Sequence, residues 1–95
     1  MSFITYQNYH IKMTIQILDN ELKSRVRKDD ELKLNLAKAN GVKVDTVNRW
    51  LREDDVILTT ATNLSIIKEW FQLPDEYQMT KEAEPAEDRI KSALR

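Results

Sequence analysis

Residues 36–52 read Leu-Ala-Lys-Ala-Asn-Gly-Val-Lys-Val-Asp-Thr-Val-Asn-Arg-Trp-Leu-Arg, and they hold the chain's single glycine, Gly41. Upstream, Leu32, Leu36 and Ala39 recur at spacings of four and three. Downstream, Val47, Trp50 and Leu51 repeat that pattern, so each side of the glycine offers one apolar helical stripe. A glycine closing an amphipathic run supplies the left-handed backbone that stops a helix. Two helices joined so tightly must cross steeply, and small Ala37 suits the crossing. The spacing predicts a helix-turn-helix, with its second helix over residues 45–52.

At about 100° per residue, Val47, Trp50 and Leu51 share one face of that second helix. Asn48, Arg52, Asp45 and Arg49 form one contiguous polar face opposite. Asn and Arg are the side chains whose forks match adenine and guanine edges in the major groove. Any surface helix shows a polar face, so the Leu-Ala…Gly-Val…Thr-Val-Asn-Arg-Trp-Leu spacing has to carry the reading as well.

Those residues resemble the lambda-repressor-like (Cro/phage-repressor type) helix-turn-helix DNA-binding family. The resemblance spans roughly residues 19–73 as a pattern and is specific over 36–51. It implies an all-α fold, a compact domain of four to five helices, here with an extended N-terminal arm. One residue departs from the family. Lys43 stands where a Ser or Thr hydroxyl usually caps the recognition helix, so the cap is either absent or taken over by Asp45. A missing cap costs about 1 kcal/mol, and Asp45 sets negative charge close to the phosphates. The implied partner is double-stranded DNA. Base edges would be met by Lys43, Asn48 and Arg49, with Val44 touching a thymine methyl. Phosphates would be met by Lys33, Asn35 and Arg52. Phage repressor, Cro-like switch protein and antitoxin-type autoregulator all fit, and the sequence does not choose among them.

Ninety-five residues support one small domain. Without cysteine there is no disulfide framework or thiolate metal site. The one histidine, His10, has no second ligand at metal spacing. One Gly and two Pro in a charged, Leu/Ala/Lys/Glu-containing chain indicate mostly helix. No apolar run approaches the ~18 residues of a membrane span, and no signal-peptide core is present, so a cytoplasmic protein is expected. The net charge of −1 hides an asymmetry. Residues 16–52 hold nine basic and six acidic groups, whereas residues 53–95 hold five basic and ten acidic ones. The basic half carries the motif, which predicts modest, strongly salt-sensitive DNA binding.

Along the chain, residues 1–18 read as an extended N-terminal arm. Met13 follows closely enough for residues 1–12 to be an extension upstream of the functional start. Ile11, Met13, Ile15 and Ile17 alternate with polar residues, a strand period. That strand could pair with a second chain, or, as we favour, pack along the domain. Residues 19–79 form the helix-turn-helix domain. Asp19 or Asn20 caps a first helix reaching about Lys28, with Leu22 and Val26 inward and Lys23, Arg25, Arg27 and Lys28 outward. Asp30 caps the second helix, whose inward face is Leu32, Leu36 and Ala39 with Leu34 alongside. The acidic turn Glu53-Asp54-Asp55 leads to Val56-Ile57-Leu58, a core-filling connector. Thr59 or Thr60 then caps a helix that ends before Pro74. That helix has an apolar face of about 160°, wider than the ~100° a surface helix requires. Its extra flank, Ile66 and Trp70, is either covered by the arm or by Tyr77, or exposed for a partner. Residues 80–95 read as a charged tail that begins as a linker and is disordered, with a marginal helix possible after Pro85.

The leading function is therefore a sequence-specific DNA-binding transcriptional regulator, a homodimer at least on DNA, with Ile66 and Trp70 as interface candidates. The competing reading keeps the fold but uses the Ile66/Trp70 flank as a protein-interaction module without DNA. No catalytic residues, cofactor, metal site or small-molecule ligand can be assembled from this sequence.

Overall fold

The computed structural model describes residues 14–84. A short strand, β1 (Ile15–Leu18), leads into three helices, α1 (Asn20–Arg27), α2 (Asp30–Asn40) and α3 (Val44–Glu53). A 3-10 turn (Val56–Thr59), a fourth helix, α4 (Ala61–Phe71), and a last strand, β2 (Thr80–Ala83), complete it.

Short polar side chains start most of these elements by accepting from the otherwise unpaired first amides. Asp19 accepts from the N–H groups of Glu21 and Leu22 at 3.1 and 3.2 Å. Asp29 accepts from Leu32 at 2.9 Å, Asp55 from Ile57 at 3.0 Å, and Thr60 from Asn63 at 3.4 Å. The second helix is thus capped by Asp29, not by Asp30 as the sequence suggested. α3 has Lys43 at its cap position and no side-chain cap bond, so of the two alternatives for this helix the cap is absent.

The helix ends are equally local. Gly41 adopts φ +67°, and the amides of Gly41 and Val42 donate to the carbonyls of Lys38 and Ala37. α3 and α4 stop in the same way without glycine, through Asp54 and Gln72, both at φ 53°. The bonds from Asp55 to Trp50 and from Leu73 to Lys68 close these two turns.

Leu18, Leu22, Val26, Leu32, Leu36, Ala37, Val47, Trp50, Leu51, Leu58, Ile67 and Leu73 form one buried cluster. Ala37 sits in it at 2% exposure, consistent with a close α2–α3 crossing. Two expected core positions of α2 are not buried. Leu34 is 46% exposed and Ala39 is exposed, because the apolar side that α2 buries is Leu32/Leu36/Ala37. Of the expected core-filling connector only Leu58 is inside; Val56 and Ile57 are exposed, since a 3-10 turn aims one residue in three at the core.

The fold is mostly helical, but not all-α. β1 pairs antiparallel with β2, in the register Ile15↔Ala83 to Leu18↔Thr80, and the Asp19 amide extends the pairing to the Met79 carbonyl at 2.8 Å. The expected strand therefore pairs within the chain. The reading of residue 80 onward as linker is corrected for 80–83. Thr-Lys-Glu-Ala carries no alternating apolar signal, and its strand state comes from Ile15–Leu18 some sixty residues away. Residues 1–13 of the expected arm and 85–95 of the expected tail lie outside the described residues. No helix among the described residues is long and apolar enough to cross a membrane.

Candidate nucleic-acid interface

α3 has the register expected of its sequence. Val47, Trp50 and Leu51 are buried, Asp45, Arg49 and Arg52 are exposed, and Asn48 is half-buried at the boundary. The cause is amphipathicity: three large apolar side chains on one stripe anchor the helix, and the polar stripe is left outward. Because Asn48 and Arg52 are four residues apart, they rise side by side along one edge of α3. Arg49 lies on the next row, its Nε 3.9 Å from the Glu53 carboxylate one turn along.

Asn48, Leu51 and Arg52 form one wall of a groove of about 390 Å³. Its other walls are Lys33 from the first turn of α2 and Lys23 and Arg27 from α1. The structure thus brings together three of the sequence candidates, Lys33, Asn48 and Arg52, and adds two cations. Lys23 and Arg27 stand at i and i+4 and so share a face. The sequence had marked Lys23, Arg25, Arg27 and Lys28 as outward together, the last now just past the end of α1, without separating them. The fold does so: Arg25 instead lies over the Phe71 ring, 4.3 Å from its centroid, in a cation–π contact with α4.

Two of the groove cations have acidic neighbours. Lys23 Nζ donates to Asp54 at 2.7 Å, both side chains being about four-fifths buried. Lys33 Nζ lies 3.4 Å from Asp30, whose side chain is 96% exposed. Arg27 and Arg52 make no ion pair among the described residues.

The remaining candidates fall elsewhere. Lys43 is exposed at the start of α3. Val44 is half-buried and packs against the core cluster, so only part of it is free for a thymine methyl. Asn35 is exposed and does not line the basic groove. It borders a second depression, of about 540 Å³, with Ala39, Ile66, Glu69 and Trp70. There Trp70 is 38% exposed and Ile66 half-buried. The indole of Trp70 donates to Asp29 Oδ2 at 2.8 Å, tying α4 to the start of α2. That bond joins the backbone amide bond to Leu32 in holding the Asp29 carboxyl below its ordinary pKa, the Leu32 bond being the larger cause.

Among the described residues no group of three or more His, Cys, Asp or Glu side chains is placed to hold a metal ion. No family model, curated protein or solved structure matches the chain.

Proposed function

We propose that this chain is a double-stranded DNA-binding transcriptional regulator that lays α3 in the major groove, with a lambda-repressor-like domain in a cytoplasmic protein. The observation that carries the reading is the division of α3. Its apolar stripe is buried at Val47, Trp50 and Leu51, while Asn48, Arg49 and Arg52 face outward beside the cationic groove of Lys23, Arg27 and Lys33. Asn48 and Arg49 read base edges, Lys43 and Val44 reach the groove floor from the start of the helix, and Lys33 and Arg52 meet phosphates. Asn35 lies on the other side of α2 and is a weaker phosphate candidate. The protein acts by binding and not by catalysis, as a homodimer on DNA. Selection of bound duplexes from a random pool, repeated at two salt concentrations, tests this. An enriched pseudo-palindromic sequence and an affinity falling steeply with salt are expected. No enrichment together with a flat salt response would overturn it.

The depression beside Trp70 favours a second reading, a protein-interaction module. An apolar partner seated there would bind with little salt dependence, which separates it from DNA binding in the same titration.

A further inference from the structure

The basic groove carries more positive charge than its surroundings neutralise. Of its four cations, Lys23 is matched by the Asp54 carboxylate, about four-fifths buried, at 2.7 Å. Lys33, the most buried of the four with a side chain 12% exposed, has only Asp30, 3.4 Å away and almost fully in solvent. Arg27 and Arg52 have no carboxylate within ion-pair distance among the described residues. Like charges gathered in one concavity repel, and the concavity focuses their field on whatever occupies it. Here three elements, each fixed by the core residues Leu22, Val26, Leu32, Leu36, Val47 and Leu51, hold the charges together.

We propose that this groove is a discrete anion site that takes one phosphate group, held by the guanidinium groups of Arg27 and Arg52 and the ammonium of Lys33. Two guanidinium forks and an ammonium, carried by three different helices around one groove, suit a tetrahedral oxyanion, which can accept from all three at once. A planar carboxylate has two oxygens to offer. Asn48 borders the groove on the side of the base-reading face and is not needed to hold the phosphate. Lys23 is the fourth cation and is held back by Asp54. Assignment of the phosphate to a DNA backbone rests on the DNA-binding reading; the site itself rests on its own charge and shape. It would equally take the phosphate of a small phosphorylated metabolite.

The test is a titration of the full chain with inorganic phosphate at constant ionic strength, followed by amide NMR. Saturable shifts confined to the last turn of α1, the first turn of α2 and α3 are expected. Arg27→Gln and Arg52→Gln should each weaken binding about tenfold, the worth of a charge-assisted bond. Arg25→Gln removes the same charge from the same helix, but over Phe71, and should leave phosphate affinity unchanged. A non-saturating response, or equal losses from Arg25→Gln and Arg27→Gln, overturns the site even if duplex DNA binds elsewhere. A random-sequence duplex added to the phosphate-bound protein distinguishes the two sources. Displacement of phosphate assigns the site to the DNA backbone. Saturable phosphate binding that no duplex displaces keeps the site and assigns it to a free phosphorylated ligand, and the duplex selection then decides DNA binding separately.

Discussion

The side-chain amides of Asn40 and Asn63 face each other and exchange hydrogen bonds. Asn40 Nδ2 donates to Asn63 Oδ1 at 2.8 Å, and Asn63 Nδ2 donates to Asn40 Oδ1 at 3.3 Å. Each amide spends its second hydrogen on a backbone carbonyl, Asn40 on Leu36 and Asn63 on Ile57. The pair joins the last turn of α2 to the first turn of α4 and to the 3-10 turn. Asn63 is fully buried, yet no buried side-chain nitrogen or oxygen among the described residues lacks a partner.

Replacing Asn63 with Ala should therefore cost about 1–3 kcal/mol, because it removes the partner of the half-buried Asn40 amide and one of the two donors to the Ile57 carbonyl, which keeps the Thr60 amide. Asn40→Ala should cost less, since Asn63 keeps its bond to Ile57. In a double-mutant cycle by urea unfolding the two should couple by about 0.5–3 kcal/mol. Additive losses would show that the pair is not a unit.

The left-handed helix ends give opposite expectations at two sites. A Cβ on Gly41 would meet nothing within 4 Å, so Gly41→Ala is opposed by backbone conformation alone, at about 1 kcal/mol. Gln72 is exposed and already carries that strain at φ 53°. Gln72→Gly should accordingly raise stability by about 0.5–1 kcal/mol. Thermal unfolding of the two variants checks both signs.

Acid should weaken the join between α2 and α4. The Asp29 carboxyl is held below its ordinary pKa chiefly by the Leu32 amide and then by the Trp70 indole. A lowered folded-state pKa means stability that is fully present above the unfolded value, about pH 4, and is lost as pH falls through the lower folded value. Stability measured from pH 5 down to pH 2 should fall less steeply in Asp29→Asn than in the parent. At pH 7, Asp29→Ala should cost about 1 kcal/mol as a lost cap.

On DNA, Asn48→Ala or Arg49→Ala should cost about 1–3 kcal/mol at the selected site and relax preference at one base pair. Lys33→Gln should weaken all sequences alike and lower the salt slope by about one unit. Unchanged affinity of both α3 variants for the selected duplex would misplace the reading face.

Trp70→Ala tests the homodimer. With 38% of its surface exposed and its indole bonded to Asp29, Trp70 is only partly committed to its own domain. Sedimentation should show a folded variant shifted to monomer, with DNA affinity reduced in step. A variant that unfolds would assign Trp70 to the core instead, and a parent that stays monomeric on DNA would end the dimer proposal.

Much of the helical layout is determined by the sequence alone, because its causes are local. Asp19 and Thr60 lie within three residues of the amides they cap, Gly41 needs no neighbour to adopt φ +67°, and the stripe Val47/Trp50/Leu51 decides by itself which face of α3 is inside. The polar face of α3 was legible for the same reason. What only the tertiary structure decided depends on pairs far apart in the chain. β2 is a strand because β1 offers it an edge, Asn63 is buried because Asn40 and Ile57 satisfy it, and Leu34 is exposed because none of the described elements covers that side of α2. The groove belongs to this second class. Lys23 and Arg27 join Lys33, Asn48 and Arg52 only once α1 and α2 have packed beside α3, whereas Arg25, about 200° round α1, faces Phe71 of α4 instead. Periodicity specifies a helix's faces, but which faces meet is set by burial of the shared core, and that is a property of the whole chain.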